Sequence, residues 1–214
     1  MNEDGVRAAL DQHRAQIIDA LRSSAPRTAE DALWALRAMH EAMPLDALLR
    51  SPSEVLRQEG IERFGYPAEA PALPLVIDIA RRDPIQNLRT GALDVLARST
   101  QVPDVVKLFG EILDGTDGPL AIAATTAIER SKAVALAPQL RQVIVQRAEV
   151  DRKVAAIRAL AELRDAESVS VLAARLNEAQ PVRGEVGLAL NTLLNASRNI
   201  DEWETWAQQQ GYLH

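Results

Sequence analysis

One spacing constrains this chain more than any other feature: an apolar pair, four residues apart, recurs every 32 residues. Stepping back from Leu172 and Leu176 reaches Leu140 and Ile144, then Leu108 and Ile112, then Val76 and Ala80. Spacing of i, i+4 marks one face of a helix. A second ladder runs beside the first. Ala189 and Leu190 step back 30 residues to Ala159 and Leu160, and steps of 32 then reach Ala127 and Ile128, and Val95 and Leu96. Segments 88–99, 120–131, 152–163 and 182–193 align on it. One helix pair cannot bury its apolar stripe alone, so a repeat of this length must stack on its neighbours.

Breakers separate the two ladders. They are Asp83 with Pro84, the stretch 114–119 with Gly115, Gly118 and Pro119, and Gln180 with Pro181. Proline suits a first helical turn and is costly inside a helix. Each unit therefore reads as helix A, a tight turn and helix B. The spacing predicts helices 70–82 with 84–99, 103–114 with 119–131, 135–147 with 152–164, and 167–178 with 182–195. Leu96, Leu108, Ile128, Leu140, Leu160, Leu172 and Leu190 are the expected core. Small alanines at the B-helix centres allow close helix approach.

The run Val182, Arg183, Gly184, Glu185, Val186, Gly187, Leu188, Ala189, Leu190, Asn191, Thr192, Leu193 resembles the second helix of the short HEAT-type (PBS-lyase-type) repeat, V-R-x-x-A-A-x-A-L-G-x-L. Ala156 to Leu160 and Ala92 to Leu96 keep its Ala-Leu centre. The second unit departs most, with Ala121 in the Arg slot and Thr125 and Thr126 in mid-helix. The resemblance covers about 125 residues. It implies an all-α fold, a right-handed α-solenoid of HEAT-like helix pairs with N-terminal helices and a C-terminal capping helix. It implies little about function, because such repeats serve many roles. In the family, Arg-slot residues, here Arg89, Lys153 and Arg183, pair with loop carboxylates or helix ends.

Three segments follow: an N-terminal helical part over 1–66, four repeats over 67–199, and a capping helix over 200–214. Residues 1–66 lack the ladder but still read as helix. Val6, Leu10, His13, Ile17 and Leu21 share one face. Thr28 and Asp31 form a capping-box-like start, and Leu33, Leu36, Met39, His40 and Met43 mark the next face. The run Ser51, Pro52, Ser53, Glu54 starts a short helix toward Phe64. At the other end, Asp201 and Glu202 suit a helix N-terminus. Trp203 and Trp206 share a face of that helix and are expected to cover the last repeat, the alternative being an aromatic anchor for a partner.

Aromatics make up only 3% of the chain, so the core must be aliphatic. There is no cysteine, hence neither a disulfide framework nor a thiolate metal site. No apolar run has the roughly 18 residues that a membrane span needs, and residues 1–10 do not read as a secretory signal. A cytoplasmic location is the expectation. The net charge of −6 divides into −4 over residues 1–70 and −2 over 71–214. Neither part has the basic excess that neutralises nucleic-acid phosphates.

Candidate chemistry is sparse. His13, His40 and His214 are far apart in sequence, and the first two are expected to be structural. His40 and Glu41 form one His-Glu pair. HEAT-type deoxyhypusine hydroxylases carry several such pairs within their repeats, so that activity is not implied. The stretch 114–118 lacks the alternating oxygen ligands of a calcium loop and reads as a turn. No phosphate loop, dinucleotide fingerprint or nucleophile elbow is present. Neither a cofactor nor a metal is expected.

These features favour a non-enzymatic protein-binding solenoid, an adaptor, regulator or inhibitor-type partner, over an enzyme or assembly factor related to HEAT-type glycosylases or bilin lyases. The outward positions of the B helices form two rows: Asp94, Thr126, Arg158, Leu188, and Arg98, Arg130, Glu162, Thr192. Their mixed signs fit a protein partner better than a phosphate backbone. Asp94, Arg98, Arg130, Arg158 and Glu162 are the candidate partner-binding residues, with the arginines expected to pair carboxylates of the partner.

Overall fold

A computed structural model describes residues 3–39, 43–65, 70–146 and 148–213. Among these the chain is all-helical, with no strand. Its contacts divide it into two compact units, Met1–Val95 and Leu96–His214. The division falls inside a helix.

The N-terminal unit contains α1 (Glu3–Ala20), α2 (Pro26–Ala38), α3 (Leu45–Leu49), α4 (Glu54–Arg63), a short 3-10 turn (Ala70–Ala72) and α5 (Leu73–Arg82). It also holds nearly all of α6 (Gln86–Leu96). Helix α2 packs on α1 and α4, and α3 on α4 and α5. The core is aliphatic: Leu21, Leu33, Leu36, Leu48 and Leu56 are fully buried, with Ala29, Ala32 and Ala47 between them. Arg57 ties α4 to the end of α5. Its Nε and Nη2 donate to Asp83 Oδ2 and Oδ1 at 2.6 and 3.1 Å, and its Nη1 donates to the carbonyls of Ser51 and Pro52.

Several local expectations change here. Helix α2 starts at Pro26, two residues before Thr28, with Ala25 as its N-cap and no side-chain cap. Proline at the first position supplies the helical φ and has no N–H to satisfy, so Thr28 and Asp31 are not a capping box. Ser53 does precede α4, but its hydroxyl donates to Glu30 Oε1 at 2.6 Å and does not cap the helix. His13 is exposed, not part of the apolar face. His40, Glu41 and His214 lie outside the described residues.

The C-terminal unit carries α7 (Pro103–Asp114), α8 (Gly118–Ser131), α9 (Ala137–Val145), α10 (Val150–Glu162), α11 (Ser168–Ala173), α12 (Val182–Leu193) and α13 (Ile200–Gln209). Helices α7, α9 and α11 contact one another in chain order, as do α8, α10 and α12, and each A helix packs on its own B helix. Leu96, Leu108, Ile128, Leu140, Leu160, Leu172 and Leu190 are all fully buried. The 114–118 stretch is a turn, in which Asp117 Oδ1 accepts from Leu120 N at 3.0 Å and caps α8. Helix α11 is shorter than its ladder and continues as turns to Asn177.

The B helices share an ending. Lys132, Arg164 and Asn195 follow α8, α10 and α12 with φ of 52, 52 and 47°. The next amide in each case bonds back five residues: Ala133 to Ile128, Asp165 to Leu160, Ala196 to Asn191. This is the Schellman closure, which usually takes glycine at the left-handed position. Its recurrence at intervals of 32 and 31 residues matches the apolar ladders.

In the Arg slot, Lys153 and Arg183 have structural partners. Lys153 Nζ contacts both Glu178 oxygens at 2.9 and 3.1 Å, and Arg183 Nε donates to Glu204 on α13 at 2.7 Å. Helix α13 packs on α11 and α12. Asn199 and Glu202 form its capping box. Trp203 is only 1% exposed, and its Nε1 donates to Asn191 Oδ1 at 3.1 Å. Trp206 meets it edge-on, 5.2 Å between ring centroids.

Candidate protein-binding face

Helices α8, α10 and α12 bury a small-residue seam of Ala124, Ala127, Ala156, Ala159 and Ala189. Their opposite faces carry Glu129 and Arg130, Arg158 and Glu162, and Glu185, Leu188 and Thr192. Part of this surface is a shallow depression of about 260 Å3. Ala161 and Ala189 line its base, and Glu129, Arg158, Glu162, Glu185, Leu188 and Thr192 surround it. Leu188 is 63% exposed, the most exposed large apolar side chain among the described residues.

The charges here are largely engaged with each other. Arg158 holds Glu185 in a bidentate pair: Nε donates to Oε2 at 3.0 Å and Nη2 to Oε1. This hydrogen bond, with the attraction of the same guanidinium, holds the Glu185 carboxyl below its ordinary range against the opposing effect of burial. The Arg158 guanidinium is correspondingly raised, by the Glu185 hydrogen bond and charge first, with Glu129 adding to the effect. Lys132 Nζ reaches Glu162 Oε2 at 3.3 Å.

The structure brings Arg158 and Glu162 together in this depression. Arg130 is exposed in the last turn of α8 and does not line it. Helix α6 ends at Leu96, so Arg98 lies in the turn after it and not on a B-helix face. Asp94 belongs to the N-terminal unit and is half-buried.

Arg158 and Leu188, neighbours in the first row, both line the depression. The partner of Arg158 is Glu185, one turn before Leu188 on α12. Helical side chains lean toward the N-terminus of their helix, and the long Arg158 side chain reaches that earlier turn. Arg158 is consequently not a spare cation awaiting a partner carboxylate. Glu185 and Glu129 are the neighbours that fixed-step alignment did not single out.

No protein-family model matches the chain, and no curated protein matches it significantly. Among the described residues no group of three or more histidine or carboxylate side chains is placed to hold a metal. No described helix is long and apolar enough to cross a membrane.

Sequence reading also passed over Trp34. Ala29, Ala32, Leu33 and Leu36 are buried on α2. Trp34 is one residue beyond Leu33, about 100° around the helix from it, and is 58% exposed. The signal was present in the periodicity of that apolar stripe.

Proposed function

We propose that this chain is a non-enzymatic protein-binding α-solenoid, with HEAT-like helix pairs stacked in a right-handed sense, acting as an adaptor, regulator or inhibitor-type partner. Its docking face is the outer surface of α8, α10 and α12. The observation that carries this reading is Leu188, 63% exposed beside a floor of alanines and ringed by paired charges. An apolar anchor inside a polar rim is the usual anatomy of a protein interface. The engaged ion pairs add directional groups around that anchor without an uncompensated field of one sign. A phosphate backbone would meet Glu129, Glu162 and Glu185 as like charges.

The test is site-specific photo-crosslinking in lysate of the native cell, followed by mass spectrometry. A crosslinker at Thr192 should capture a defined protein, while one at Gln142 on the exposed side of α9 should not. Leu188→Asp should abolish the Thr192 capture. Equal capture from both positions, or capture indifferent to Leu188→Asp, would overturn the proposal.

A further inference from the structure

The α2–α4 side of the N-terminal unit carries a second surface that the reading above does not use. Trp34 leaves more than half of its surface in water, although a buried tryptophan is among the largest single contributors to apolar burial. It is also held in place. The Arg37 guanidinium lies 5.0 Å from the ring centroid, and the same guanidinium pairs with the buried carboxylate of Glu59. Glu59 is paired in turn by Arg63. A fixed, exposed aromatic loses little conformational entropy on docking.

Arg37, which covers the Trp34 ring, also borders an open depression of about 520 Å3 whose other borders include Glu54, Val55, Gln58 and Glu62. Val55 is 46% exposed. Glu54, Gln58 and Glu62 follow i, i+4, i+8 and so form one line along α4. Gln58 Nε2 donates to Glu62 Oε1 at 2.8 Å. Neither Glu54 nor Glu62 has a cationic partner among the described residues. Eight residues of helix set their Cα positions about 12 Å apart.

We propose that this face docks an amphipathic helix of another protein, bearing two basic side chains seven or eight residues apart with an aliphatic side chain between them. The basic pair meets Glu54 and Glu62, and the aliphatic group packs on Val55 and the free part of the Trp34 ring. Charge selects this occupant. An acidic or nucleic-acid partner would meet two uncompensated carboxylates. A wholly apolar one would desolvate them without a counter-charge, which is strongly unfavourable.

The test pans a display library of random 18-residue peptides against the full chain, then titrates the enriched peptide by fluorescence anisotropy. Enriched peptides should carry Lys or Arg at the stated spacing. Trp34→Ala should weaken binding at least about tenfold, as loss of an interface tryptophan does. The double substitution Glu54→Gln with Glu62→Gln should weaken it and flatten its salt dependence. Both variants alter exposed side chains and should keep the wild-type circular dichroism melt, while Leu188→Asp should leave peptide binding unchanged. The proposal is overturned if no peptide is enriched, if the enriched peptides are acidic or uncharged, or if their binding survives Trp34→Ala. Self-association of the wild type that is lost in Trp34→Ala would also overturn it, by assigning the face to a second copy of this chain.

Discussion

Replacing Trp203 with alanine is the most informative perturbation of the C-terminal unit. The side chain is 1% exposed and packs in the α12–α13 contact, where a Cβ added at Gly187 would come 3.8 Å from its ring and 2.9 Å from Ile200. Deleting a buried aromatic of this size costs about 3–5 kcal/mol. The Nε1–H bond to Asn191 accounts for about 1 kcal/mol of that. Its loss does not orphan the acceptor, because Asn191 Oδ1 also accepts from Arg198 N at 2.8 Å. Most of the cost is therefore packing, including the edge contact with Trp206. Trp203→Phe, which keeps a ring but loses the donor, should cost only about 1–2 kcal/mol. Urea unfolding followed by far-ultraviolet circular dichroism measures both, and hydrogen exchange should show α12 and α13 losing protection together. If Trp203→Ala destabilises by less than about 1 kcal/mol, α13 is not a structural lid, and Trp203 and Trp206 become binding candidates.

Arg164→Gly should stabilise the chain by roughly 0.5–1 kcal/mol in the same assay, because it relieves a left-handed residue by more than it loosens the unfolded chain. Gly60→Ala should destabilise by about 1–3 kcal/mol, since the new Cβ would lie 2.8 Å from Leu49 Cδ2 and 3.1 Å from Leu48 Cβ. The Glu185 carboxyl is held below its ordinary range when folded. Its contribution is thus complete above that range and is lost as pH falls through the folded value. Glu185→Gln should lower stability at pH 7 by at most about 1 kcal/mol and make acid unfolding measurably less steep.

The helix pairs were legible because aliphatic spacing alone defines a buried stripe: Leu108, Leu140 and Leu172 could be placed inside without any knowledge of partners. The endings of the B helices were not, because Lys132 and Arg164 occupy left-handed positions where glycine would have been the recognisable mark. Helix α3 was hidden by its five-residue length between Pro44 and Arg50. The Arg158–Glu185 pair was missed because contact between helices depends on side-chain lean and crossing, which a fixed step of 30 or 32 residues ignores. Arg98 lies two residues past the end of α6. The ladder gives the centre of α6 but not its end, and two residues decide whether that side chain shares a helix face.

The B helices are proposed as the docking face of the C-terminal unit. This is tested most directly by hydrogen–deuterium exchange of the full chain with and without the protein captured from Thr192. Exchange should slow in peptides from α10 and α12 around Arg158 and Leu188, with α9 and α11 unchanged. Protection confined to α9 and α11, or none in α10 and α12, would contradict it.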